Sequence, residues 1–287
     1  MPRTPSKNPI SFGGDDSYEW FGGSANGKYL IAYRGIDDDF DMDNGFSGNL
    51  QYGVGIRGAA IADQSGSNGF EVDNDTGGSA NTPFTSPTIS NFSIIGAKQD
   101  AGTTINVQFQ NGAHLRRNCK IKIYNTFLTS YPNGIYLDGT AVNTLGNVAR
   151  GELILNRVVV SGVDKWGTNN FGQGFGTNPQ GFSIRDVNTA TPAVDLALIN
   201  SQKPSVWFTA QPGNKILTDW NSSGISPTLF GAGRPTFTLT AGKADGLEKG
   251  GVAPTGFTAT DFIGAFKDTD WTAKWANFSP QTTEYRK

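Results

Sequence analysis

The chain has 287 residues, enough to bury one large all-β core or two ordinary ones, and its 38 glycines and 17% charged residues favour short strands and turns over helices. A net charge of -2 supplies no basic footprint for nucleic acid, and no apolar run approaches the roughly 18 residues of a membrane span. The single cysteine, Cys119, excludes an internal disulfide and a Cys-based zinc cluster.

Residues 1–14 carry basic side chains but no apolar stretch, so they do not read as a secretory signal. From Asp15 the chain becomes repetitive. The segments "DDSYEW" at 15–20 and "DDDFDM" at 37–42 align without a gap about 22 residues apart, the mark of a solenoid. The same apolar-polar alternation returns as Phe70, Glu71, Val72 and Asp73, then as Ala113, His114, Leu115 and Arg116. It recurs as Ile135, Tyr136, Leu137 and Asp138, and as Phe182, Ser183, Ile184 and Arg185. Interleaved with these is a longer, more apolar series: "YLIAYRG" from Tyr29, "YGVGIRG" from Tyr52, "ISNFSIIG" from Ile89, "IKIYNTFL" from Ile121, "LILNRVVVSG" from Leu153 and "AVDLALIN" from Ala193. The two series alternate strictly, so residues 15–204 are read as a right-handed parallel β-helix of about six coils stacked about 4.8 Å apart.

Insertions leave such a stack through its turns, and residues 76–88, 97–110, 140–150 and 163–180 are the expected excursions. The last contains "FGQGFGTNPQG", which lacks the Lys-Ser/Thr of a phosphate loop, and no organic cofactor is expected. Asn91, Asn125 and Asn156 lie within the second series, either as an inward asparagine ladder or as three unrelated turn residues. Over residues 205–287 the alternation fades. Trp271, Trp275 and Phe278, spaced i, i+4, i+7, predict a short amphipathic helix in an aromatic-rich cap that covers the open end of the stack. At the other end, the short remnant 1–14 leaves the first coil uncovered, to pair with further coils or with another chain.

The region from Asp37 to Asp43 holds five aspartates in seven positions. Asp39, Asp41 and Asp43 match the first ligands of an EF-hand loop, but Asn44 stands where its glycine belongs and Leu50 where its glutamate belongs. Alternation with Phe40 and Met42 is instead strand periodicity, which turns the three acids outward. In register, the outward positions form two columns: Glu19, Asp41, Glu71, His114, Tyr136, Ser183 and Phe21, Asp43, Asp73, Arg116, Asp138, Arg185. Like charges on neighbouring strands repel by roughly 3 kcal/mol per pair at an effective dielectric near 20. A calcium ion held by Asp39, Asp41, Asp43, Glu71 and Asp73 would offset that; solvation or protonation of the acids is the alternative.

The other half of the face carries the candidate catalytic groups His114, Arg116, Tyr136 and Arg185, with Arg117 beside them. Forked guanidinium groups suit carboxylate or sulfate recognition, and the ligand stripe is read as Glu19, Asp41, Glu71, Arg116, Tyr136 and Arg185. Calcium beside arginine would serve a polysaccharide lyase. A glycoside hydrolase needs two carboxyls at a set separation, for which Asp15, Asp16, Asp38 and Asp41 are the candidates. His114 is the sole histidine and no "GxSxG" elbow exists, so an ordinary surface or hydrogen-bonding role is its alternative.

Four separated motifs, "GDDSYEWFGG", "DDDFDMDNGFSG", "SGSNGFEVDND" and "FIGAFKDTDWTAKWANFSPQ", resemble a family of secreted or surface-anchored Bacteroidota β-helix proteins. Its members carry a secretion or lipoprotein signal and further coils before the first motif, so relative to them this chain looks truncated at its N-terminus. The resemblance implies a β-helix at the cell surface or outside the cell and brings no reaction or catalytic residues. Two functions stay open: binding of glycan, matrix or a partner protein through the stripe, or calcium-dependent lyase or hydrolase action on an acidic polysaccharide.

Overall fold

A computed structural model describes residues 6–7, 9–98, 103–138, 144–161, 204–217, 220–231, 233–243 and 246–284. The strands are β1 (Ser6–Lys7), β2 (Ile10–Ser11), β3 (Glu19–Phe21), β4 (Gly27–Tyr33), β5 (Phe40–Asp43), β6 (Asn49–Ile56), β7 (Phe70–Val72), β8 (Thr88–Ile95), β9 (Asn111–Leu115), β10 (Lys122–Thr129), β11 (Asn133–Leu137), β12 (Ile154–Ser161) and β13 (Lys215–Leu217). Among the described residues there are two short helices, α1 (Thr144–Ala149) and α2 (Pro204–Ala210). The odd-and-even alternation of the sequence becomes two parallel ladders. The short strands stack as β11-β9-β7-β5-β3, and the long ones as β1-β4-β6-β8-β10-β12-β13 with β2 also on β4. This is a right-handed parallel β-helix.

Each long strand is bent at one residue in the left-handed region: Tyr29, Tyr52, Asn91, Asn125 and Arg157, with φ of 61, 62, 60, 46 and 56°. The pairing continues on both sides of that residue. The bend resets the two-residue period, so inward positions fall three apart across it, as Ile89 and Phe92 or Leu155 and Val158. The short strands keep a plain alternation, with Phe40, Met42, Phe70 and Val72 fully buried. Their rings knit the interior: Phe40 meets Tyr18 at 5.3 Å, Phe70 at 5.6 Å and Phe92 at 5.2 Å between centroids.

Three expectations are corrected. Residues 6–7 and 10–11 pair in parallel with β4, so the chain before Asp15 contributes to the long-strand sheet instead of leaving it uncovered there. The aromatic segment from Leu229 to Phe278 packs along the flank of the stack. The outward side chains of the long strands, Ile31, Val54, Ile56, Ile95, Phe127 and Val159, form an apolar stripe, and Leu229, Phe237, Leu247, Ile263, Phe266 and Phe278 cover it along the flank. An exposed stripe of that length would invite aggregation, which is why a non-repetitive segment is spent on it. Finally, the helix predicted near Trp271 is a run of turns over residues 271–275, and the short helix of this region is α2, which sends Phe208 into the interior.

The asparagine ladder also lies elsewhere. Asn91 and Asn125 do share a register position, but they sit at the bends and face the C-terminal segment. The Asn91 amide donates to Thr260 Oγ1 at 3.1 Å and Gly264 O at 3.1 Å. The Asn125 amide donates to Val252 O at 2.7 Å. Asn156 pairs with Tyr124, one place before the bend, so it is in a different row. The buried ladder is Asn68, Asn111 and Asn133, each leading into a short strand. Asn111 Nδ2 donates to Asn68 Oδ1 at 2.7 Å, and Asn133 Nδ2 to Asn111 Oδ1 at 2.7 Å. The following glycines are required by crowding, since a Cβ on Gly69 would stand 2.5 Å from Gly112 O. Among the described residues no helix is long and apolar enough to cross a membrane.

Candidate functional site

The same row continues into the first two coils with aspartate in place of asparagine. Asp16 Oδ1 accepts the backbone N–H of Asp38 at 2.8 Å, and Asp38 Oδ1 accepts that of Asn68. Asparagine both donates and accepts along the row, whereas a carboxylate only accepts. Two acids therefore replace a self-satisfied ladder at the point where the short strands present acids outward as well.

Sheet register brings the outward acids to this row. Glu19 pairs with Asp41, and Asp41 with Glu71, so the first predicted column is real through His114 and Tyr136. In the second column Phe21 pairs with Asp43. Ser183 and Arg185 fall outside the described residues. Carboxylate oxygens of Asp16, Glu19 and Asp41 all lie within 4.8 Å of one another, as do those of Asp15, Asp16 and Asp37. Among the described residues no lysine or arginine forms an ion pair with any of these five. Asp37 Oδ2 accepts from Ser65 Oγ at 3.1 Å, but its Oδ1 is buried without a partner.

Crowding without compensation shifts the protons. Burial, then the charges of Glu71 and Asp16, push Asp41 up to about 8. Burial, partly opposed by the Asp38 N–H, holds Asp16 at about 7. Burial raises Asp37 to about 6, and burial with Asp15 and Asp43 nearby raises the exposed Glu19 as well. Asp38, 4% exposed, is driven well upward by burial and by Glu71, Asp37 and Asp16. Asp16 and Asp41 hold or share protons near neutrality.

On the next coil the outward acids are neutralised. Arg116 Nε donates to Asp73 Oδ1 at 2.8 Å and its Nη2 to Asp73 Oδ2 at 3.0 Å, while Nη2 also meets Glu71 Oε1. Arg117 Nη1 adds a bond to Asp73 at 2.8 Å. His114 lies 3.5 Å from Glu71 and 3.4 Å from Asp138, stacked on Tyr136 at 4.6 Å. Burial would raise Glu71, but His114, Arg116 and Arg117 outweigh it and hold its carboxyl below the usual range.

The predicted cation set is thus split. Asp41 belongs to the uncompensated group, whereas Glu71 and Asp73 are committed to arginine. Asp43 faces outward, with its carboxylate accepting from the Asn44 side chain at 3.0 Å. Asp39 does not face outward at all. It precedes β5, in the turn where strand alternation has not begun, at the place Gly69 holds one coil later. Its fully buried carboxylate pairs with Arg57 at 3.0 Å and accepts from Tyr131 at 3.1 Å. His114 and Tyr136 keep their places in the outward column but are buried, at 5% and 1% exposure, and neither offers an open surface. Asp15 and Asp16, singled out only for hydrolysis, are members of the cluster, with Asp38 buried beside them; Asp37 was missed. The asparagine-glycine pair at 68, 111 and 133 aligns with Asp38 and Asp39 and was the signal that Asp38 is a ladder position.

A family model described as a pectate-lyase-like beta-helix domain matches residues 10–195. No curated protein and no solved structure matches the chain.

Proposed function

The chain belongs to the pectate-lyase-like β-helix family, and we propose that it binds a polysaccharide along the outward face of the short-strand sheet, at an acidic centre formed by Asp16, Glu19 and Asp41. The observation that carries this reading is three carboxylates within 4.8 Å with no cationic side chain paired to them among the described residues. Oxygen-only donors of high negative charge suit calcium, which tolerates irregular geometry and takes six to eight oxygens. Bound there, calcium would supply positive charge for an acidic sugar; Asp16, Glu19 and Asp41 would hold it, and sugar oxygens would complete its shell. The resemblance to secreted and surface-anchored Bacteroidota proteins supports a location outside the cell, where such a glycan is met.

Glycoside hydrolysis is the second reading, favoured by Asp41 near 8 and Asp16 near 7. A general acid must keep its proton at working pH, and these two groups do. The lyase reading has less support, because the arginine it would use for the uronate, Arg116, already serves Glu71 and Asp73. The test is to mix the full chain with neutral, uronic and sulfated polysaccharides, with calcium or a chelator, and follow gel mobility, reducing ends and unsaturated ends. Calcium-dependent retardation of an acidic polysaccharide that Asp41→Asn abolishes is the expected result. New reducing ends lost in the same variant establish hydrolysis instead of binding alone. Retardation indifferent to both calcium and Asp41→Asn removes the acidic centre from the function.

A further inference from the structure

A second site lies away from the acids, between the ends of the long strands and the C-terminal segment. A cavity of about 350 Å³ opens there, lined among others by Arg34, Arg57, Ala60, Ile61, Leu229 and Phe230. Its volume is in the range of small-molecule sites.

The two arginines are not equivalent. Arg57 has a fully buried side chain; its Nη1 donates to Asp39 at 3.0 Å and its Nη2 to Ile36 O at 3.0 Å, but its buried Nε–H has no acceptor. A buried guanidinium N–H is a costly group to leave unpaired. Arg34 is exposed at the rim, donates to Gly231 O at 3.3 Å, and among the described residues has no carboxylate in ion-pair range. Among the described residues no acidic side chain lines the cavity, and its remaining walls are largely apolar, with Ile61 48% exposed. One uncompensated guanidinium at the rim beside aliphatic and aromatic walls fits a single anionic head on an apolar body. A bare phosphate would satisfy Arg34 and leave Ile61 and Phe230 facing water.

We propose that this cavity binds a small monocarboxylate with an apolar or aromatic body, its carboxylate on Arg34 at the rim and its body against Ile61, Leu229 and Phe230. None of these residues belongs to the acidic centre, so the site stands or falls independently of the polysaccharide reading.

Calorimetric titration of the full chain with benzoate, benzyl alcohol and inorganic phosphate tests it. Benzoate is expected to bind at one saturable site, with benzyl alcohol and phosphate each at least about tenfold weaker. Arg34→Gln should weaken benzoate by about tenfold, and Ala60→Trp, which fills the mouth, should abolish binding. Both variants change exposed residues, and their melting temperatures without ligand should match that of the unaltered chain. Absence of saturable benzoate binding overturns the proposal, as does benzoate binding that survives Ala60→Trp. Phosphate or benzyl alcohol binding as tightly as benzoate overturns it too, since either the body or the charge would then be irrelevant.

Discussion

The two halves of the short-strand sheet present acids in the same columns and the same parallel register, yet only one half is neutralised. Over the third and fourth short strands Glu71 and Asp73 receive Arg116, Arg117 and His114. Over the first two, Glu19 and Asp41 stand beside the ladder acids Asp16 and Asp38 with no ion-pair partner among the described residues. Parallel pairing sets such neighbours about 5 Å apart, which costs roughly 3 kcal/mol per ionised pair at an effective dielectric near 20. The chain can remove that cost, since one arginine a strand away does so for two acids. Where it is left in place, the compensation is protons or a ligand from outside.

The largest effect should come from breaking the compensated half. Arg116→Met leaves Glu71 and Asp73, whose side chains are 17% and 7% exposed, without their main partner. Removing one member of such a pair costs about 3 kcal/mol, read as a lower urea midpoint at unchanged slope. Adding Glu71→Gln and Asp73→Asn should restore most of it. A loss below about 1 kcal/mol would mean that Arg117 and His114 suffice and that the contrast between the halves is smaller than the geometry indicates.

The opposite sign is expected in the other half. Asp41 has a folded pKa of about 8 against an ordinary 3.8, so between those values the native state keeps a proton that the unfolded chain has lost. Stability therefore falls as pH rises from about 4 to about 8 and levels beyond. Asp16 and Asp37 act in the same direction, over windows ending near 7 and near 6. Glu71, held below 4.5, behaves inversely: its contribution is full above 4.5 and disappears as pH falls through its folded value. Asp41→Asn should stabilise the chain by about 2 kcal/mol at pH 8 and by little at pH 4, flattening the upper limb of a stability-pH curve. A curve unchanged by the substitution would mean that Asp41 is solvated rather than crowded.

The comparison also explains what could be read from the sequence. Alternation of Phe40 and Met42 with Asp41 and Asp43 gave the inward and outward faces correctly, because a strand has only one period. The columns followed, because coils of one solenoid share a register. Asp39 was misplaced because the period holds only inside the strand, and β5 begins at Phe40. The ladder was hidden because asparagine in three coils becomes aspartate in two, and hydrogen-bonding equivalence is not identity of letters. Trp271 and Trp275 suggested a helix through their spacing. A compact turn meets that spacing equally well, with Trp271 Nε1 donating to Ala265 O at 2.9 Å and Trp275 Nε1 to Trp271 O at 2.7 Å. Partners from distant sequence, such as Arg116 for Glu71 or Arg57 for Asp39, are set by packing and leave no local pattern.

The smallest predicted effect asks how many cations the compensated half contains. His114 stacks on Tyr136 at 4.6 Å and approaches Glu71 at 3.5 Å and Asp138 at 3.4 Å, both long for hydrogen bonds. His114→Phe keeps the stack and removes the ring nitrogens. If Arg116 and Arg117 already neutralise Glu71 and Asp73, the loss should stay below about 1 kcal/mol and vary little between pH 5 and 8. A loss above about 2 kcal/mol, confined to the acid end of that range, would make the imidazole a third cation.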